Sequence, residues 1–221
     1  MTADTESIAE AWRRRTLQRG SVDFTMMYVA HDAFSRDLAR LLRAASEGHA
    51  HTPEARATWA TFSRQLHTHH VTEDTSLWPR LRSVVTAGDE MAALDAMEAE
   101  HESLDPLIEQ IDESLHFGHH VAVVSELTQL AVGLAAHMRH EEDAALPLVE
   151  RRLGRAGWAW FGKDIRRANG GIRAGAQYLP WVLDGAPKPA RRSALSVLPP
   201  PVRVLYRRMW EPKYRASTHL I

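Results

Sequence analysis

Two nine-residue stretches, Leu66-His67-Thr68-His69-His70-Val71-Thr72-Glu73-Asp74 and Leu134-Ala135-Ala136-His137-Met138-Arg139-His140-Glu141-Glu142, are copies of one another at a shift of 68 positions. Leucine, His-x-x-x-Glu, a second acidic residue and a later proline (Pro79, Pro147) recur in register. Residues four apart on a helix lie on one face, so each copy points an imidazole and a carboxylate the same way. A second pair, His31-Asp32-Ala33-Phe34 and His101-Glu102-Ser103-Leu104, repeats at a shift of 70. Each half of the chain therefore offers one lone histidine and one His-x-x-x-Glu, the donor set of a pseudo-symmetric centre for two metals.

The apolar periodicity around these residues is helical. The first helix is predicted from Ser21, as N-cap, to Glu47, with Phe24, Met27, Tyr28, Phe34, Leu38, Leu41 and Leu42 on the stripe that holds His31. The second starts at Thr52-Pro53, carries Trp59, Phe62, Leu66, Leu77 and Leu81 around His69 and Glu73, and should bend at Pro79. The third follows Gly88 and ends at Gly118, with His101 among Met91, Leu94, Met97, Leu104, Ile108, Ile111 and Leu115. In the fourth, Val123, Leu127, Leu130, Leu134 and Leu148 share a line with His137 and Glu141. Four amphipathic helices joined by short turns predict an all-α, up-down-up-down four-helix bundle. The midpoints of His31/His69 and His101/His137 both fall in the predicted turns, so all four histidines share one layer.

Two carboxylates and four imidazoles buried in one layer would cost several kcal/mol per ionised group without a counter-ion, and a cation is the simplest compensation. Nitrogen and oxygen donors without thiolate suit two iron ions first, then manganese, with zinc admissible. Glu73 and Glu141 come from facing helices and are placed to bridge, beside an oxo or hydroxo group. Asp74 and Glu142 point about 100° away on an ideal helix and are expected to matter less. His70, Asp105 and Tyr28 are the neighbours within reach of the shell.

The pattern His, His-x-x-x-Glu, His, His-x-x-x-Glu on four helices resembles the hemerythrin-like (HHE cation-binding) family, in its bacterial form, over roughly residues 20–152. The resemblance implies a di-iron centre held by His31, His69, Glu73, His101, His137 and Glu141. It also implies binding or sensing of dioxygen, nitric oxide or iron. The alternative is a di-iron redox enzyme acting on peroxide or nitric oxide, or a protein that repairs iron centres. Invertebrate oxygen carriers of the family have a second histidine four residues after the helix-three ligand, where this chain has Asp105. One nitrogen ligand fewer implies a more open iron and argues against reversible oxygen carriage.

The chain has 221 residues and no cysteine, which excludes thiolate zinc, iron–sulfur clusters and a disulfide framework. No apolar run of signal-peptide or membrane-spanning length is evident, so a cytoplasmic protein is expected. The net charge of −1 conceals an asymmetry: residues 1–150 hold 12 of the 27 basic and 25 of the 28 acidic side chains, and residues 151–221 hold 15 and 3. Three segments follow: 1–20, with a short helix from Ile8 to Leu17; the bundle, 21–153; and a basic, aromatic-rich extension, 154–221, holding Trp158, Trp160, Trp181 and Trp210. In the extension Val202, Leu205, Tyr206 and Met209 should line one side of a helix and Arg203, Arg207 and Arg208 the other. Docking on the acidic bundle is preferred to contact with an anionic membrane surface, and no nucleic-acid partner is expected. The histidines of the two turns, His49, His51, His116, His119 and His120, read as solvated.

Overall fold

A computed structural model describes residues 8–18, 20–196 and 198–217, and no strand occurs among the described residues. The order is α1 (Ile8–Leu17), α2 (Thr25–Ser46), α3 (Pro53–Thr72), a π-helical turn (Glu73–Leu77), α4 (Trp78–Arg82), α5 (Gly88–Phe117) and α6 (His120–His140). There follow a second π-helical turn (Glu141–Ala145), α7 (Leu146–Arg152), α8 (Gly154–Ala168), α9 (Gly171–Val182), α10 (Lys188–Ser196), α11 (Pro200–Leu205), a third π-helical turn (Tyr206–Trp210) and α12 (Glu211–Ser217).

The bundle is a ring in which α2 packs on α3, α3 on α5, α5 on α6 and α6 on α2. Neighbours run in opposite senses, as Phe34 on Phe62 and His31 on His69 show for α2 and α3, and Ser114 with Glu126 and His101 with His137 for α5 and α6. Thr52 caps α3 by accepting from the Ala55 amide at 3.2 Å, and Pro53 occupies the first turn, where its missing N–H costs nothing. Gly118 closes α5 in the left-handed conformation at φ 80°, which a side chain would resist. Ser21 is not the N-cap of α2. Val22 and Phe24 are buried ahead of the helix, which starts at Thr25, whose amide bonds Asp23 Oδ1 at 2.9 Å.

Pro79 does more than bend its helix. A proline rejects the carbonyl four residues back, and the chain answers with a wider turn just before it, in which the Trp78 amide bonds the Glu73 carbonyl, five residues apart. Pro147 stands behind the same device, with the Leu146 amide on the Glu141 carbonyl. Each copied proline thus places a π-turn at the copied carboxylate.

The core falls into two apolar clusters with the histidine layer between them. One, toward the α2–α3 and α5–α6 turns, contains Phe34, Trp59, Phe62, Leu66, Leu104, Ile111, Val123 and Leu130. The other contains Leu77, Trp78, Leu81, Leu94, Met97, Leu146 and Val149. The C-terminal extension joins both, Trp181, Leu183, Ala194 and Tyr206 in the first and Phe161 in the second. Its last helices depart from the predicted stripe. Tyr206 is buried while Leu205, the last residue of α11, stays 38% exposed, and within the π-turn that begins at Tyr206 Met209 stays 59% exposed.

Candidate metal centre

His31, His69, Glu73, His101, His137 and Glu141 lie buried in this one layer, and His70 is buried with them. Two trios can each hold an ion: His31, His69 and Glu141, and His70, His101 and His137, with the donor atoms of each trio within 4.8 Å of one another. Glu73 stands between them, Oε1 3.2 Å from His69 Nε2 and Oε2 3.7 Å from His101 Nε2. Glu141 Oε2 lies 3.0 Å from His31 Nε2.

Three imidazoles are oriented from behind. Nδ1 of His31 meets Glu142 Oε1, Nδ1 of His101 meets Asp74 Oδ1, and Nδ1 of His137 meets Glu100 Oε2, each at 2.8 Å. Donation from Nδ1–H leaves the Nε2 of a neutral ring as a lone pair aimed inward, and at His31 a bound cation would take the place of the Nε2 proton. His101 and His137 then bring two such nitrogens to 3.1 Å, which only a proton or a cation between them relieves. Nε2 of His31, His69 and His70 and all four oxygens of Glu73 and Glu141 are buried and make no hydrogen bond, since the 3.0 Å and 3.2 Å approaches of His31 to Glu141 and of His69 to Glu73 lack hydrogen-bonding geometry. Buried polar atoms are rarely left so in a fold, and this many in one layer fit a bound cation.

The electrostatics agree. Burial, with repulsion from neighbouring imidazoles, lowers His69 and His70 well below the ordinary histidine value. Burial, reinforced by Glu141, raises Glu73 well above the carboxylate range. His31 goes the other way: burial opposes its charge, but Glu141 and Glu142 outweigh it and push the imidazole up to about 9. The layer is short of positive charge around Glu73 and hostile to it at His69 and His70.

Sequence reasoning misjudged four carboxyl or basic groups here. Asp74 and Glu142 do not point away, because the π-turns widen the helix at that level. The first carboxylate of each turn enters the centre and the second reaches the histidine on the neighbouring helix. Glu100 and Arg15 carried no periodic signal; their roles depend on contacts between helices. Asp105 is exposed on α5 and outside the shell. Tyr28 packs against Trp12 and Arg15 at the edge of the layer. In the turns, His51 Nδ1 bonds the Leu115 carbonyl, and His49, His116 and His119 are exposed.

A helical bundle with a buried layer of imidazoles and carboxylates that can hold cations defines a class of metal-binding helical proteins. The hemerythrin HHE cation binding domain matches residues 22–149, more than half of the chain, and the chain belongs to that family. Comparisons with curated proteins and with solved structures gave no match.

Proposed function

We propose that the chain holds two iron ions in this layer and binds dioxygen or a related small ligand, nitric oxide or peroxide, there. His31, His69 and Glu141 would hold one ion and His70, His101 and His137 the other, with Glu73 able to serve both. The observation that carries the reading is the set of inward, partnerless donor atoms on these buried side chains. Iron, when bound, supplies one-electron redox chemistry and affinity for small oxygen- and nitrogen-centred ligands.

The residues of the chain supply the rest. Asp74, Glu100 and Glu142 fix the tautomer and direction of three imidazoles, and the apolar clusters above and below the layer limit water. His70 makes five the number of imidazoles in the layer, so the shell is less open than the loss of a histidine at Asp105 implied. That supports ligand binding or sensing over turnover.

Metal analysis of protein expressed in iron-replete medium should give close to two irons per chain, with near-ultraviolet absorption of the oxidised pair. One ion or none would defeat the reading. Oxygen release from added peroxide, sustained over many turnovers, would replace the binding role with an enzymatic one.

A further inference from the structure

Helix α1 lies outside the residues that match the HHE domain, yet its Arg15 is buried against the metal layer. The guanidinium forks onto Glu142, Nε to Oε2 at 3.0 Å and Nη2 to Oε1 at 2.6 Å, and the same Oε1 takes Nδ1 of His31 at 2.8 Å. Its remaining nitrogen, Nη1, donates to Asp32 Oδ1 at 2.8 Å, and Asp32 Oδ2 accepts from Trp12 Nε1 at 2.6 Å. One planar cation therefore ties α2, at the residue after His31, to the π-turn that carries Glu141 and Glu142. The rings of Trp12 and Tyr28, with centroids 5.3 Å and 4.9 Å from the guanidinium carbon, hold it in place.

The carboxylates behind the three oriented histidines are not equivalent. Asp74 and Glu100 are 36% and 32% exposed and can be solvated, whereas the Glu142 side chain is 2% exposed. A carboxylate sealed from water is costly without a cation beside it, and one left without its fork would no longer hold the imidazole N–H in a single direction. Two cations of α1 face it. Arg14 Nη2 reaches Oε2 at 2.9 Å from a side chain 21% exposed. Arg15, 5% exposed, is the one that also reaches Asp32, which lysine, a single point charge, could not do while forked onto Glu142.

We infer that α1 is a working part of the metal centre of this chain: Arg15 is a positioning residue that acts through Glu142 to fix the His31 imidazole and so the affinity for the ion at His31, His69 and Glu141. The ion at His70, His101 and His137 owes nothing to α1. The inference rests on the two-ion reading proposed above, and the experiment separates them.

Full-length protein stripped of metal would be titrated without oxygen with Co²⁺, its visible absorption reporting each site, and with Fe²⁺. The wild-type chain should take up two ions. Arg15→Met should weaken one by roughly 10- to 100-fold, the usual effect of losing a group that orients a ligand, and leave the other unchanged. Arg15→Lys should restore only part of the loss. Trp12→Phe removes the donor to Asp32 without leaving Glu142 unpaired, so it tests the same site if Arg15→Met fails to fold, and should weaken the same ion more mildly. Two ions bound as in wild type by Arg15→Met, or by Trp12→Phe where Arg15→Met does not fold, overturn the inference alone, as does equal loss at both sites. A wild-type chain that takes up no second ion overturns the two-ion reading and the inference with it.

Discussion

His70 stacks on His101 across the α3–α5 interface, ring centroids 3.9 Å apart and planes 11° from parallel. The contact brings a fifth imidazole into the layer from α3, although the position on α5 where oxygen carriers have their extra histidine holds the exposed Asp105. In the duplicated half the partner of His70 is Met138, so only one side of the pseudo-symmetric layer has gained a nitrogen.

If that nitrogen is a donor, His70→Phe, which keeps a ring to stack on His101, should lower metal content by about one ion per chain. Asp105→Ala should lower it by none. Metal analysis of the two variants decides: an equal loss from both would remove His70 from the shell.

Glu73 should show opposite effects on stability and on binding. Its carboxyl is fully buried with no hydrogen-bond partner, and burial with the nearby Glu141 resists its ionisation. Glu73→Gln removes that charge, so the metal-free protein should gain roughly 1–3 kcal/mol, about 2–4 °C of melting temperature per kcal/mol for a chain of this size. Metal content should fall in the same variant. A metal-free melting temperature that drops would show that Glu73 has a stabilising partner in the apo fold.

What the sequence made legible was whatever depends on phase along a helix. The four bundle helices, the single layer and its six copied residues follow from spacing alone, and the structure brings those six together. The two carboxylates misread as peripheral, Asp74 and Glu142, were placed by an ideal helical period that the π-turns before Pro79 and Pro147 break. That signal is present, since both prolines are copied with the motif, but a proline alone does not distinguish a bend from a wider turn. Arg15 and Glu100 were illegible for another reason: a side chain that acts across helices leaves no periodicity in its own segment. In the stripe of Val202, Leu205, Tyr206 and Met209 the π-turn that begins at Tyr206 affects only Met209.

The metal-free protein should lose stability as pH rises from about 7.5 through 9. His31, pushed up to about 9 by Glu141 and Glu142 against the effect of burial, contributes fully below the unfolded-state value near 6.5 and stops contributing as it deprotonates in the fold. The depressed His69, His70 and His137 work the other way, but only while the unfolded chain still holds their protons, up to about pH 7.5, so the range above that isolates His31. Thermal melts between about pH 7.5 and 9.5 should fall for the metal-free chain and stay nearly flat once a cation replaces the His31 proton. His31→Gln should flatten the metal-free curve as well; an unchanged slope in that variant would mean another group sets it.

The C-terminal extension should be held by apolar burial rather than by its charge. Trp181 is nearly fully buried, its indole N–H donating to Asp37 Oδ2 at 2.7 Å and its ring 5.6 Å from that of Phe34, which in turn packs 5.4 Å from the ring of His69. Replacing a buried tryptophan with alanine costs about 3–5 kcal/mol, against about 0–1 kcal/mol for an exposed ion pair. Trp181→Ala should therefore lower the melting temperature by some 6–20 °C at about 2–4 °C per kcal/mol. Trp181→Phe should cost much less, because Asp37 keeps its bond from Arg36 Nε at 2.8 Å. Raising the salt concentration should leave the wild-type melt almost unchanged, since the ion pairs that salt screens are not what holds this interface. Because Phe34 stands between Trp181 and His69, Trp181→Ala should also loosen the ion nearest His69, read as weaker Co²⁺ uptake at one site. A melting temperature unmoved by Trp181→Ala would mean that the extension is not part of the cooperative core.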